Sequence, residues 1–305
     1  MAKFSVHILG CGSATPSLRH LPACQVIDFR DRLLMIDCGE GAQLSMRRQH
    51  LKFSRLTDIF ISHLHGDHFL GLPGLLSTLA LNQESGTVTV HIAADGARLL
   101  RNIMNVLCRE TSFELRYNIF DPDKGGVILD DKNLVVTAFP LYHRVPCSGF
   151  RFEEKPKLRH IRGDMAKFHN IPVYRLNVIK EGADFVTPDG RVIPNAVLTT
   201  DADKSVSYAY CSDTAYDTRV VDAVKDVDVL YHEATYGDDQ QAKAAPRGHS
   251  TAREAARIAS AAHVGRLYLG HFSKSILDEE PLVQQAREIF PNTYACNEGM
   301  TIDLL

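Results

Sequence analysis

Between His63 and His68 the chain reads His-Leu-His-Gly-Asp-His, three imidazoles and one carboxylate in six consecutive positions. The run follows Asp58-Ile59-Phe60-Ile61, a short apolar stretch that reads as a buried strand, and leads on to Gly71-Leu72-Pro73-Gly74. A strand that ends in a turn throws successive side chains onto a shared rim. His63 and His65 can there reach one cation while Asp67 and His68 reach another. Imidazole nitrogen and carboxylate oxygen are ligands that zinc accepts at about 2.0–2.2 Å. The bland alternative is a polar loop with chance histidines. With 14 histidines in 305 residues, three within six positions speak against it.

The rest of the chain suits a globular protein with a sizeable core. The apolar fraction is 45%, and no apolar run approaches the roughly 20 residues of a membrane span. The N-terminus runs from Met1-Ala2-Lys3 straight into a first strand, where a secretory signal would need a longer apolar region and a cleavage site. The seven cysteines form no Cys-x-x-Cys pair and are odd in number, which argues against a zinc finger or a disulfide framework and fits a cytoplasmic location. A net charge of −3 gives no global attraction to nucleic acid, so any such binding needs a local basic patch.

Strands are expected at 4–9, 24–29, 32–37, 58–61, 88–93, 134–139, 148–152, 206–211, 227–231, 266–270, 293–296 and 301–304. Helices are expected at 41–50, 69–81, 96–108, 215–225, 250–263 and 279–289. In the third of these Ala97, Leu99, Leu100, Ile103, Met104 and Leu107 make one apolar stripe at helical spacing. Ser250-Thr251-Ala252-Arg253-Glu254 is a helix-start signal. Strands and helices interspersed in both halves point to an α/β fold, two sheets with helices outside, in one domain spanning 1–305. Residues 153–182 interrupt this order. They hold Lys155, Lys157, Arg159, Arg162, Lys167, Arg175 and Lys180 against four acidic residues, a local charge of +3, while the remaining chain carries −6. The stretch reads as an inserted basic arm rather than an ordinary solvated loop.

Two zinc ions need about eight donors, and the opening cluster supplies four. His143, Asp213 and His271 each stand directly after a short apolar run, at the strand ends where His63 also sits. The expected arrangement places His63, His65 and His143 on one zinc and Asp67, His68 and His271 on the other, with Asp213 bridging. Manganese would accept the same ligand set. Asp37, at the end of Leu33-Leu34-Met35-Ile36, could orient a ligand imidazole from outside the ligand shell. Glu233, in His232-Glu233-Ala234-Thr235, and His249, in Gly248-His249-Ser250-Thr251, could pair so that the imidazole stays protonated and can donate to a leaving oxygen.

With these residues in hand, the chain resembles the metallo-β-lactamase-fold hydrolases and, more narrowly, the ribonuclease Z family of transfer RNA 3′-processing endonucleases. The resemblance spans essentially the whole chain. The segments that carry it are Leu9-Gly10-Cys11-Gly12-Ser13, Ile36-Asp37-Cys38-Gly39-Glu40-Gly41, Ser62 to His68, His143, Ser212-Asp213-Thr214, His232 to Thr235, Gly248 to Thr251 and Gly270-His271-Phe272-Ser273. The His-x-His-x-Asp-His run marks only the superfamily, and the other segments narrow it. The resemblance implies a four-layer αββα sandwich, two zinc ions per chain, precursor transfer RNA as substrate and no nucleotide cofactor or membrane partner. It also implies a homodimer in which the 153–182 arm of one subunit grips the transfer RNA cut by the other. Lys274 stands where the family tends to carry arginine, and Ile171-Pro172 and Val178 to Gly182 keep only part of the family's arm pattern.

The implied reaction is attack on the scissile phosphorus by water activated between the zincs, with Asp67 as general base and His249, held by Glu233, assisting the leaving 3′ oxygen. It leaves a transfer RNA 3′ hydroxyl and a trailer with a 5′ phosphate. The arm and Lys274 would hold phosphates without reading sequence. The alternatives are a hydrolase of small phosphodiesters or of thio- or sulfate esters on the same fold, and a non-catalytic RNA-binding protein.

Overall fold

The computed structural model describes residues 4–304. In chain order its strands are β1 (Phe4–Gly10), β2 (Cys24–Phe29), β3 (Arg32–Ile36), β4 (Leu56–Phe60), β5 (Thr87–Ala93), β6 (Glu114–Phe120), β7 (Gly126–Asp130), β8 (Leu134–Leu141) and β9 (Cys147–Glu154), followed by four two-residue strands, β10 (His160–Ile161), β11 (Phe185–Val186), β12 (Val192–Ile193) and β13 (Thr199–Thr200), and then by β14 (Ser207–Cys211), β15 (Val229–Glu233), β16 (Arg266–Gly270), β17 (Thr293–Ala295) and β18 (Thr301–Asp303). Two seven-stranded sheets result, ordered β18-β1-β2-β3-β4-β5-β6 and β17-β16-β15-β14-β9-β8-β7.

The larger of two compact units comprises residues up to Asp130, Val135–Phe152 and Ser207 onward. Its central strands run parallel, β3 to β6 in one sheet and β14 to β17 in the other. Parallel strands are covered on both faces, which is why Leu33-Leu34-Met35-Ile36 and Tyr208-Ala209-Tyr210-Cys211 are unbroken buried runs. Successive side chains go to opposite layers. Leu33 and Met35 pack outward with Met46, Leu72, Leu75, Leu79, Leu100 and Met104 of the covering helices. Between the sheets, the Phe60 ring lies 5.7 Å from Phe150 and 5.3 Å from Phe152 of the facing sheet, centroid to centroid. The helices Ala252–Ala261 and Glu280–Arg287 cover the second sheet against β15, β16 and β17. The unit is thus an αββα sandwich. The helix-start signal forms as expected: the Glu254 N–H donates to Thr251 Oγ1 at 3.2 Å and the Thr251 N–H donates to Glu254 Oε2 at 2.9 Å. No helix among the described residues is long and apolar enough to cross a membrane.

Several elements differ from expectation. Strands β6 and β7 were not anticipated. Both lie at sheet edges and are half-exposed, and the apolar run of β7 is only Val127-Ile128-Leu129. The helix Gln241–Arg247 was missed because Pro246 lies inside it. The expected helix over 215–225 shrinks to Val220–Ala223. In the helix Ala94–Leu107 only part of the apolar stripe is covered: Ala97, Leu100 and Met104 are buried while Leu99 and Leu107 are exposed.

The smaller unit comprises Asp131–Leu134 and Glu153–Val206. It has its own core of Ile179, Phe185 and Leu198, against which Ile161, Met165, Ile171 and Ile193 pack. The basic stretch expected to end at Gly182 therefore continues to Val206, because Phe185, Ile193 and Leu198 return to cover the apolar side chains before them. The added residues change the charge. The unit holds ten basic and nine acidic side chains, a net +1 in place of the +3 of 153–182.

Candidate metal centre

The parallel strands of both sheets end at one rim, and the chemistry-bearing residues follow those ends directly. Asp37 follows β3, His63 comes three residues after β4, Asp213 two residues after β14, and His271 immediately after β16. Asp37 and His271 take left-handed backbone, φ 53° and 59°. Non-glycine residues pay about 1 kcal/mol for that conformation. Here it turns the chain sharply where a side chain must reach inward.

Each imidazole is fixed by its neighbours. His68 Nδ1 donates to Asp37 Oδ2 at 2.7 Å. Asp37 is fully buried and also accepts from the Ser62 N–H, the Ser62 hydroxyl and the Tyr210 hydroxyl. His143 Nδ1 donates to the Gly248 carbonyl at 2.7 Å, and His271 Nδ1 lies 2.9 Å from Thr235 Oγ1. His63 Nδ1 lies 3.0 Å from Ser62 Oγ. With these Nδ1 positions occupied, four Nε2 atoms remain as donors. His65 presents Nδ1 instead, 3.1 Å from His63 Nε2 and 3.3 Å from His143 Nε2.

The donors fall into two groups that share one carboxylate. His63, His65, His143 and Asp213 form one, and Asp67, His68 and His271 form the other. Asp213 Oδ2 lies 3.6 Å from His63 Nε2 and 3.8 Å from His143 Nε2. Its Oδ1 lies 3.4 Å from His68 Nε2 and 3.0 Å from His271 Nε2. Asp67 Oδ2 lies 3.4 Å from both of the latter nitrogens. Donors on a tetrahedral ion at about 2.0–2.1 Å stand about 3.4 Å apart, so these spacings fit a cation in each group. Asp213 Oδ1 is buried without a hydrogen-bond partner, an arrangement that a cation completes.

The electrostatics are consistent with ligation. Burial pulls His63, His65 and His143 below the ordinary imidazole range, which leaves neutral lone pairs. Burial opposes ionisation of Asp67 and Asp213, but the facing His68 and His271 outweigh it and hold both carboxyls well below the usual range. Burial likewise opposes the charge on His68, and Asp213 and Asp37 more than offset it.

Glu233 and His249 are brought together. Fully buried Glu233 accepts from His249 Nδ1 at 2.8 Å and from the Thr214 N–H, while its other oxygen accepts the Thr235 N–H and hydroxyl. Burial alone would lower His249. The Glu233 charge and hydrogen bond reverse this, and the imidazole is pushed up to about 9. A raised folded value means the pair stabilises the metal-free fold fully below about pH 6.5, and the contribution is lost as pH rises through about 9. Glu233→Gln removes the offsetting charge and leaves burial dominant. In chelator-treated protein, NMR titration is expected to show the His249 midpoint falling to the ordinary imidazole range or below. An unchanged midpoint would remove Glu233 as the cause.

Some contributors were not assigned roles from sequence. Ser62 bridges Asp37, His63 and Ser212, signalled only by its place before His63. Thr235 orients His271, and the Ala14 N–H donates to Asp67 Oδ2 at 2.6 Å. Arg144 lines a cleft of about 350 Å³ with Ala14, Glu40, His65 and Asp67, and is legible only as the residue after His143. A larger cavity of about 720 Å³ also touches His63, but Asp95, Asp121 and Asp123 on its wall disfavour a phosphodiester.

Comparison with known proteins bears on this centre. A ribonuclease Z of Parabacteroides distasonis is 48% identical over 304 residues, all of both chains. The chain belongs to the ribonuclease Z family. A ribonuclease Z of Porphyromonas gingivalis is 47% identical over the same length. Among solved structures, human tRNase Z, short form, matches with a TM-score of 0.72 at 26% identity, covering 99% of each chain. The metallo-β-lactamase fold protein YhfI of Bacillus subtilis matches at 0.71 and 18% identity, a likeness of fold. A family profile described as Anti-Pycsar protein Apyc1 matches residues 4–116, about a third of the chain.

The basic residues expected to meet RNA are not equivalent within this chain. Lys157 bonds Glu154 at 2.9 Å and the Lys204 carbonyl at 3.0 Å. Arg159 bonds Thr199 and Asp201, both at 2.7 Å, and Arg162 lies 3.6 Å from Asp164. Of these three, Lys157 and Arg159 join distant segments of the smaller unit, and Arg162 pairs locally. Lys155 also has a partner. Lys167, Arg175 and Lys180 in that unit, and Lys274 in the larger one, carry no ion pair among the described residues.

Proposed function

We propose that this chain is a metal-dependent endoribonuclease that removes the 3′ trailer from precursor transfer RNA, with two zinc ions held by His63, His65, His143, Asp213, Asp67, His68 and His271. The observation that carries the reading is the division of Asp213, one oxygen toward each group of imidazoles. Manganese fits the same donors. A divalent pair supplies Lewis acidity there, polarising the scissile phosphate and lowering the pKa of water.

The chain's own residues do the remaining work. Asp67 carries a carboxylate that stays ionised at neutral pH, fixed by the Ala14 N–H, and takes the proton of the attacking water at its oxygen. Arg144 in the adjoining cleft offsets phosphate charge. Asp37 holds His68 in one tautomer. Glu233 occupies His249 Nδ1 and keeps the ring protonated, so Nε2–H can donate to the departing 3′ oxygen. The products are a transfer RNA 3′ hydroxyl and a 5′-phosphorylated trailer.

Residues 153–206, the smaller unit, hold the folded body of the transfer RNA by phosphate contacts through Lys167, Arg175 and Lys180, with Lys274 as a further contact. In this reading the chain is a homodimer whose subunits each grip the RNA that the other cuts. Seven free cysteines support a reducing, cytoplasmic setting.

The test is incubation of purified protein with precursor transfer RNA, with and without chelator, and mapping of the cut. A single cut at the trailer junction that chelator abolishes is expected. Turnover of bis-aryl phosphodiesters with intact precursor RNA would instead favour a small-phosphodiester hydrolase.

A further inference from the structure

We propose that Cys11, His20 and Glu298 form a second, separate cation site that takes a zinc-class divalent ion through one sulfur, one nitrogen and one oxygen. None of the three belongs to the centre described above. Cys11 Sγ lies 3.3 Å from His20 Nδ1 and 3.6 Å from Glu298 Oε1, and His20 Nδ1 lies 2.9 Å from Glu298 Oε2. Zinc–sulfur and zinc–nitrogen bonds of about 2.3 and 2.0–2.1 Å place tetrahedral donors roughly 3.3–3.6 Å apart. The two sulfur spacings fall in that range, while the 2.9 Å approach of His20 to Glu298 is a hydrogen bond that an ion would replace.

The surroundings repeat the device used at His68. His20 Nε2 lies 2.9 Å from Glu279 Oε1, and Glu279 is held in turn by Arg19 at 2.8 and 3.0 Å. This is a carboxylate–histidine relay that directs Nδ1 at the ligand. Glu298 is pinned as well: its Oε1, 3.6 Å from Cys11 Sγ, accepts the N–H groups of Cys11 at 3.2 Å and Leu21 at 2.9 Å, and its Oε2 lies against His20 Nδ1. Cys11 is fully buried and His20 nearly so. A cleft of about 290 Å³ lined by Gly12, Ser17, His20 and Phe272 reaches the cluster at His20.

Burial and the nearby Glu298 push the Cys11 thiol up, and the Glu298 hydrogen bond raises His20. A dication bound here would release the thiol proton to solvent and gain a thiolate as a ligand. The ion would also tie down the loop that begins at Cys11 and carries the Ala14 N–H to Asp67.

The full chain, stripped with chelator, is titrated with cobalt(II). The Asp213 centre has only nitrogen and oxygen donors, so a near-ultraviolet thiolate-to-cobalt charge-transfer band reports a cysteine ligand alone. The band is expected to saturate at the intensity of one thiolate-bound cobalt per chain, beside the cobalt taken by the Asp213 centre, to vanish in Cys11→Ser, and to persist in Cys147→Ser, whose thiol lies 3.6 Å from His63 Nδ1. No band in the wild-type chain with cobalt in excess, or a band that survives Cys11→Ser, overturns the site. Cobalt X-ray absorption on the wild-type chain is a check that needs no variant to fold: a sulfur neighbour at about 2.3 Å is expected, and its absence overturns the proposal.

Discussion

Asp67→Ala is expected to cut precursor transfer RNA about 10⁴-fold more slowly while binding it as the parent does. In the proposed mechanism the carboxylate has two duties that alanine cannot perform: a donor to one ion, 3.4 Å from His68 Nε2 and from His271 Nε2, and the base for the attacking water. Its removal also frees the Ala14 N–H, which lies at an exposed position and can turn to solvent without a burial penalty. The fold should therefore survive. Single-turnover cleavage beside filter binding of the RNA separates the effects. Turnover within tenfold of the parent, with metal content unchanged, would take Asp67 out of the mechanism.

Excision of residues 155–205 is expected to leave hydrolysis of a small phosphodiester within about threefold of the parent and to lower precursor processing by about 10³-fold. The cut follows the structure. The Glu154 N–H donates to the Val206 carbonyl at 3.0 Å, so a few glycines can join the two ends. A shorter deletion stopping at Gly182 would strand Phe185 and Leu198 without the core they cover. The ends of β9 and β14, neighbours in their sheet, stay in place. Equal loss of both activities would make the smaller unit a structural element and not an RNA grip.

How much of this was legible in the chain depended on where each residue gets its order. The strands that carry ligands are buried on both faces, so Leu33 to Ile36 and Tyr208 to Cys211 announce themselves as apolar runs, and the residue after each run marks the rim. Strands β6 and β7 announce less, because edge strands are only half covered: Leu115 and Tyr117 pair with β5 and pack on the core while staying partly exposed. The seven side chains that the structure gathers at the rim could be named from sequence because imidazole and carboxylate at strand ends are chemically conspicuous. The oxygens of Ser62 and Thr235 that aim them could not, since a hydroxyl has no pattern until its neighbour is known. The basic stretch misled in its charge. Counting Lys157 and Arg159 as RNA contacts ignored Glu154 and Asp201, the latter beyond the expected boundary, which bind them.

The donors around Asp213 come from both sheets: His63, His65, Asp67 and His68 follow a strand of the first, while His143, Asp213 and His271 follow strands of the second. Ions held there, as proposed, would be rivets through the seam of the sandwich as well as reagents. Occupancy and cohesion then form one equilibrium. At a free ion level 1,000 times the dissociation constant, each rivet adds about 4 kcal/mol that a chelator withdraws.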